Sequence, residues 1–272
     1  MDDLASLVDL ARGRRIVALT GAGCSTESGI PDYRGPDSPA PRRAPMQHRE
    51  FVGRSEMRRR YWARSVVGWP QFAAARPNSG HIALADLEHV GALAGVITQN
   101  VDGLHQAAGS RAVVELHGAL ARVRCLECGT VSTRDALQER LLERNPGWTD
   151  RVAAVAPDGD ADLPDDLVAG FEIIACGCGG ALMPDVVFFG GSVPRATLDA
   201  AWALFDRAQL LLVVGSSLAV YSGLRFVRRA AERGVPIAIV NRGPTRGDEH
   251  AALRIDARSG AAMPELLRAL SF

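Results

Sequence analysis

The chain has 272 residues, with 31 Lys+Arg balanced by 31 Asp+Glu, so it is long enough for a full hydrophobic core and lacks the basic field that gathers nucleic acid. Direct nucleic-acid binding is not expected, and neither is a membrane partner, because the longest apolar runs, such as residues 210–214, fall far short of a bilayer span. The acidic N-terminus with Asp2, Asp3 and Asp9 does not read as a secretory signal, and five cysteines, four of them in two close pairs, fit metal binding in a reducing, cytoplasmic setting better than a disulfide framework.

In chain order, aliphatic runs that read as strands lie at residues 16–19, 95–98, 113–116, 210–214 and 237–240. Helix-like segments at 4–12, 80–87, 196–207 and 223–233 alternate with them. Runs that are apolar on both faces and alternate with helices predict a parallel sheet covered on two sides, a Rossmann-like doubly wound α/β fold. Two stretches interrupt the alternation. Residues 36–77 hold six of the fifteen prolines and a basic, helix-prone segment at 55–67, while 121–180 hold the two cysteine pairs and a Pro/Asp/Gly-rich loop at 156–166. The expected organisation is a large nucleotide-binding domain of residues 1–35, 78–120 and 181–272, a helical module at 36–77 and a smaller metal-binding module at 121–180.

The first strand leads into a loop with Gly21, Ala22 and Gly23. Glycine belongs where backbone turns tightly against a pyrophosphate, and amides at the next helix start would supply donors. Thr26 stands where the third glycine of the dinucleotide fingerprint belongs, so the loop alone also fits an ordinary strand-to-helix turn. Asn100 and Asp102 follow the second strand at a spacing that points both to one side; by themselves they could equally close a turn. His117, beside Gly118, stands at the end of the next strand, where imidazole can serve as a base near neutrality or as a structural residue. Gly215-Ser216-Ser217 and Asn241-Arg242-Gly243 follow later strands and suit either a ligand or helix capping. Cys24 reads as a small packing residue. Cys125-Leu126-Glu127-Cys128 and Cys176-Gly177-Cys178 bring four thiolates into two pairs, a donor set for one tetrahedral Zn²⁺ with no coordination position left for chemistry.

The run from Gly21 to Gly35, including Gly29-Ile30-Pro31-Asp32-Tyr33-Arg34, then Thr98-Gln99-Asn100-Val101-Asp102-Gly103-Leu104-His105, Glu115-Leu116-His117-Gly118, Gly215-Ser216-Ser217 and Asn241 occur in the order seen in sirtuins, the Sir2-like protein deacylases. The resemblance covers nearly the whole chain. Arg60-Tyr61-Trp62-Ala63-Arg64, Pro157-Asp158-Gly159-Asp160, Val186-Val187-Phe188-Phe189-Gly190 and Gly243-Pro244-Thr245-Arg246 look most like the class II branch. The second cysteine pair departs from the family, which usually has two residues between those cysteines.

The resemblance implies an NAD-dependent protein-lysine deacylase whose partners are NAD, as consumed co-substrate, and acyl-lysine proteins or peptides, with nicotinamide and O-acyl-ADP-ribose as products and one structural Zn²⁺ on Cys125, Cys128, Cys176 and Cys178. It implies NAD contacts by Gly21, Ala22, Gly23, Ser25, Thr26, Ile30, Asp32, Tyr33 and Arg34 in the first loop. Gln99, Asn100, Asp102 and His117 would act at the nicotinamide ribose, and Gly215, Ser216, Ser217, Asn241, Arg242, Gly243 and Ser259 at the adenine end. In that scheme Asn100 orients the ribose, Asp102 helps hold the carboxamide and His117 is the general base. The peptide would add as a strand beside Val186, Val187, Phe188, Phe189 and Gly190. Tyr61 and Arg64, three apart on one helix face, resemble the Tyr-x-x-Arg pair that grips carboxylate-ended acyl groups in some sirtuins. Protein mono-ADP-ribosyl transfer, a non-catalytic NAD sensor and a dehydrogenase are the competing readings, and nicotinamide release with O-acyl-ADP-ribose formation separates the first reading from all three. Every basic residue is Arg and lysine is absent, so a deacylase of this sequence could not act on its own side chains.

Overall fold

The computed structural model describes residues 2–35, 45–150, 159, 161 and 163–271. Among these are nine strands: β1 (Ile16–Thr20), β2 (Leu93–Thr98), β3 (Val113–Glu115), β4 (Gly118–Cys125), β5 (Val131–Thr133), β6 (Leu182–Val186), β7 (Leu210–Val214), β8 (Ile237–Val240) and β9 (Leu253–Ile255). The chain divides into two compact units, Met1–Pro39 with Arg76–Leu116 and Val193–Phe272, and Ala40–Ala75 with His117–Ser192. No helix of the described residues is long and apolar enough to cross a membrane.

The first unit carries a six-stranded sheet in the order β3-β2-β1-β7-β8-β9, with every neighbouring pair parallel. Its strands read as unbroken apolar runs because both faces are covered. Ile16, Ala18, Leu210, Leu212, Val214, Ala238 and Val240 face one core, built with Leu7, Leu84, Leu87, Met263 and Leu266 from the helices Asp2–Ala11, Ser79–His89 and Ser259–Leu270. Val17, Leu19, Leu211, Val213, Ile237 and Ile239 alternate to the opposite core, against Phe205 and Phe226 of the helices Arg195–Phe205 and Tyr221–Glu232. The two-residue period of an extended chain makes this division. Strand order reverses between β1 and β7, and open α/β sheets bind ligands at that switch point, beyond the carboxyl ends of the strands.

The second unit carries the antiparallel sheet β5-β4-β6 and the helix Ser55–Ala73. That helix runs beyond the expected end at residue 67, through Gly68 and Pro70, because its buried Trp69 and Phe72 anchor the last turn. Pro70 cannot donate to Val66 O, and Gln138 Nε2 donates to that carbonyl instead at 2.9 Å. The expected division into separate helical and cysteine modules differs from the observed one, in which both lie in a single unit that also takes in β4 and β6. Side-chain ties explain the union. Trp62 Nε1 donates to Leu182 O at 3.1 Å, Trp148 Nε1 to Ala63 O at 2.9 Å and Trp69 Nε1 to Asp135 Oδ1 at 2.7 Å. The buried Arg134 guanidinium lies 5.4 Å from the Trp62 ring and 5.2 Å from that of Trp69 and donates to Ser65 Oγ. Five residues of the 156–166 loop, Pro157, Asp158 and Asp160 among them, lie outside the described residues.

Candidate active site and zinc centre

At the switch point the loop after β1 and the loop after β7 meet backbone to backbone. Gly21 N donates to Val214 O at 3.2 Å and Gly23 N to Gly215 O at 2.8 Å. A Cβ on Gly23 would sit 2.9 Å from Gly215 O, and one on Gly215, whose φ is +62°, would collide with the Cys24 backbone. Glycine is thus demanded by the approach of two protein loops. The segment after Gly21 forms two short 3₁₀ turns, Ala22–Cys24 and Thr26–Ser28, where the sequence reading places the start of a helix; its polar Ser-Thr-Glu-Ser run offers no apolar stripe to pack an α-helix.

Beneath this loop Asn100 and Asp102, two of the four residues expected at the nicotinamide ribose, share one network with Ser25, whereas Gln99 bonds elsewhere and His117 lies in the second unit. Ser25 Oγ donates to Asp102 Oδ2 at 2.7 Å and accepts from Asn100 Nδ2 at 3.0 Å, and Asn100 Nδ2 also reaches Gly21 O at 3.1 Å. Asp102 Oδ1 accepts from Leu104 N at 2.9 Å. Burial pushes the Asp102 carboxyl up, while the bonds from Leu104 and Ser25 pull it down. Asn100 N donates to Thr98 Oγ1 at 3.0 Å; Thr98 accepts in turn from Thr20 Oγ1 at 2.8 Å, and Thr20 Oγ1 lies 2.8 Å from His105 Nε2. His81 Nε2 stands 3.5 Å from Ser25 Oγ. Sequence reasoning missed His81 and Thr20; Thr98 and His105 bound a motif that the sequence shows, whereas His81 is simply one residue of a helix capped by Asn78, whose Oδ1 accepts from Gly80 N and His81 N. Cys24 is buried, and burial pushes its thiol up to about 12, as befits a packing residue.

Toward the expected adenine end, Ser216 Oγ donates to Gln99 Oε1 at 2.7 Å, which joins two expected contact residues. Ser217 O accepts from Arg246 N, Asn241 Nδ2 donates to the carbonyls of Arg242 and Gly243, and Arg242 pairs with Asp256 at 3.3 Å. Ser259 opens the C-terminal helix, where Gly260 N donates to Glu27 Oε2 at 2.8 Å. In the first loop Thr26 Oγ1 donates to Gly23 O, Ile30 is buried, and Asp32 Oδ1 accepts from the amides of Arg34 and Gly35. Tyr33 lies in the same turn.

In the second unit His117 occupies the turn before β4, half-buried, with its carbonyl accepting from Val187 N at 2.9 Å. Its neighbour Gly118 has φ +78°, and a Cβ there would collide with the Asp185 carbonyl, which accounts for the glycine without a ligand. β6 is an edge strand, and Val186 ends it. Phe188 packs with its ring centroid 5.2 Å from Tyr61 and 5.0 Å from Phe51, and Phe189 O accepts from His48 N. Tyr61 and Arg64 are only 1% and 6% exposed, and Arg64 Nη2 donates to Leu163 O at 3.0 Å.

Cys125, Cys128, Cys176 and Cys178 bring their sulfurs within 4.8 Å of one another. Cys125 and Cys178 are 3.5 Å apart and Cys128 and Cys176 3.8 Å, close to the edge of about 3.8 Å that a tetrahedron of Zn–S bonds requires. The donor set fits one zinc. The shortened second pair closes the site because Gly180 leaves room for sulfur: a Cβ there would sit 2.7 Å from Cys125 Sγ.

Comparison with known proteins gives the same answer along the chain. The Sir2 family profile matches residues 21–222. Similar curated proteins include NAD-dependent protein deacetylase 1 of Streptomyces coelicolor, 54% identical over 96% of this chain and 88% of that protein. The mitochondrial NAD-dependent protein lipoamidase sirtuin-4 of Bos taurus is 49% identical over 92% of this chain and 81% of that protein. Among solved structures, a Sir2 complex with p53 peptide and NAD⁺ matches with TM-score 0.76 and 30% identity over 97% of each chain. One with deacetylated p53 peptide and 3′-O-acetyl ADP ribose matches with TM-score 0.80 and 30% identity over 98% of each. With a family profile over most of its length and relatives above half identity, this chain belongs to the Sir2 family.

Proposed function

We propose that this protein is an NAD-dependent protein-lysine deacylase that removes carboxylate-ended acyl groups faster than acetyl. The observation that carries the reading is the network of buried Ser25 and Asn100 with half-buried Asp102 at the switch point of the parallel sheet, a polar constellation in an apolar frame, as a site for one end of a dinucleotide requires. The relatives named NAD-dependent deacetylases and the solved complexes with NAD⁺ and acetyl-ADP-ribose support it.

In this mechanism the acyl-lysine oxygen attacks C1′ of the nicotinamide ribose as nicotinamide leaves. Asn100 orients the ribose and Asp102 holds the carboxamide, so the cofactor's reacting carbon is presented in one pose. His117 accepts the proton of a ribose hydroxyl, whose oxygen then bonds to the acyl carbon; one water adds to that carbon and the lysine amine leaves, which yields free lysine and O-acyl-ADP-ribose. No protein nucleophile is required, consistent with Cys24 being buried and fully protonated near neutrality. Zinc, held by four thiolates, keeps the second unit folded and takes no part in the chemistry.

The acyl preference rests on Tyr61 and Arg64, buried on one face of a helix whose Tyr61 touches Phe188 of the expected peptide strand. A guanidinium with a phenol one turn away offers a carboxylate a fork of charge-assisted donors plus a third. The test is peptide-dependent nicotinamide release over acetyl, glutaryl, methylglutaryl and lipoyl peptides, with wild type and Arg64→Met. Faster release from the glutaryl peptides, erased in Arg64→Met with a smaller effect on acetyl, is expected. Acetyl or lipoyl as the best substrate of the wild type, or equal loss on all peptides, would make Arg64 structural.

A further inference from the structure

One cluster of metal-ligating side chains in the first unit has no part in this chemistry. Cys24 from the first 3₁₀ turn, His81 from the helix Ser79–His89 and His105 from the short helix Leu104–Ala107 are 0%, 0% and 1% exposed. One donor atom from each lies within 4.8 Å of those of the other two. We propose that Cys24, His81 and His105 form a second cation site, separate from the four-cysteine centre, which takes a thiophilic d¹⁰ cation such as Zn²⁺ or Cd²⁺ and, when filled, weakens NAD binding.

The observation that points to a ligand is His105 Nδ1. It is buried and makes no hydrogen bond among the described residues, although its other nitrogen is satisfied by Thr20 Oγ1. A buried ring nitrogen without a partner is costly to leave so, and an ion as ligand is one of the few explanations for it in a native fold. His81 is nearly as available: its ring nitrogens make only long contacts, 3.4 Å from Asn78 N and 3.5 Å from Ser25 Oγ. A histidine that ligates through one nitrogen while protein holds the other is the usual arrangement at zinc. The mixture of one thiolate and two imidazoles suits zinc and cadmium and is a poor set for Mg²⁺ or Ca²⁺. Donor separations in a tetrahedral site are about 3.3–3.8 Å, so the widest pair must close by about 1 Å through side-chain rotation.

Binding needs one proton to leave Cys24, whose burial pushes its thiol up to about 12, whereas burial already keeps both imidazoles neutral, with lowered values of about 4 and 3. Uptake therefore releases a single proton and strengthens as pH rises. Its effect on NAD follows from one contact. His81 Nε2 is 3.5 Å from Ser25 Oγ, which itself donates to Asp102 and accepts from Asn100. Drawing His81 toward a cation, or recruiting the Ser25 hydroxyl as a fourth ligand, disturbs the network assigned to the nicotinamide end. This second half rests on that network being the NAD pocket; the first half does not.

The experiment separates the two. The full chain, loaded with one zinc, is equilibrated with Cd²⁺, and total zinc plus cadmium per chain is counted by elemental mass spectrometry after dialysis, alongside the KM for NAD. Two cations per chain are expected for wild type and one for Cys24→Ala and for His105→Gln, with affinity at the second site at least about tenfold weaker in the variants. Cadmium should raise the KM for NAD of wild type relative to its own cadmium-free value and leave that ratio near one in each variant. One cation per chain in wild type, or two in Cys24→Ala, overturns the site. Two cations that depend on Cys24 with an unchanged KM for NAD overturn the coupling to the NAD pocket and leave the site standing.

Discussion

The two buried histidines make the first unit acid-sensitive in a predictable way. Burial lowers His81 from 6.5 to about 4 and His105 from 6.5 to about 3, with the neighbouring His81 adding to the effect on His105. The folded chain therefore holds fewer protons than the unfolded one between those values and 6.5, so stability falls as pH drops through this window. Between pH 7 and pH 5 each neutral histidine withholds about 2 kcal/mol, and the pair about 4 kcal/mol, relative to a chain without them. His105→Gln keeps an amide near Thr20 and removes one titrating ring, so about half the loss should vanish. Urea unfolding at both pH values in wild type and variant gives the difference directly. Terms common to both, such as zinc loss or the oppositely signed contribution of the raised Asp102 carboxyl, cancel in that difference. Equal pH losses in the two proteins, within about 0.5 kcal/mol, would refute the assignment of buried, neutral imidazoles.

Stripping the metal with a strong chelator, or Cys128→Ser, should unfold the second unit; Trp62, Trp69 and Trp148 all lie there, so tryptophan fluorescence together with metal content reads the loss, and an unchanged spectrum in metal-free protein would contradict a structural zinc. Ser25→Ala removes a hydrogen bond to a carboxylate within the folded chain, a loss of about 1.5–3 kcal/mol, so the melting temperature should fall by several degrees, and the KM for NAD should rise because Asn100 and Asp102 lose their shared partner. Gly215→Ala places a Cβ against the Cys24 backbone at a positive φ, and should cost both stability and NAD affinity; a neutral outcome in a calorimetric scan would show that the two loops can part.

The strands β7 and β8 are legible to the residue at 210–214 and 237–240, because a strand covered on both faces announces itself as an aliphatic block. β4 is not, since Arg122 and Arg124 face Asp185 across the sheet and break the apolar pattern, and β9 is only three residues long. The expected end of the helix at residue 67 reflects the ordinary meaning of glycine and proline, which aromatic packing at Trp69 and Phe72 overrides. At the site, Asn100 and Asp102 stand out through the resemblance of the motif that holds them, since their spacing alone equally closes a turn, and the cysteine pairs stand out because metal ligands cluster. His81 and Thr20 are invisible for the opposite reason: each sits where helix or strand pattern alone explains it, and only the tertiary approach of the loop after β1 to the helix Ser79–His89, and of β1 to the short helix Leu104–Ala107, gives them a role.

In the proposed reaction acyl groups leave lysine by transfer to the sugar of NAD, with His117 as the base. The most direct measurement is the mass-resolved product of a single turnover on an acylated peptide, with wild type and His117→Ala compared at equal NAD occupancy. Wild type should yield nicotinamide and O-acyl-ADP-ribose in a 1:1 ratio, and His117→Ala should bind NAD yet form almost no acyl-ADP-ribose. Reduced nicotinamide, ADP-ribose attached to protein, or acyl transfer at near wild-type rate in His117→Ala would contradict it.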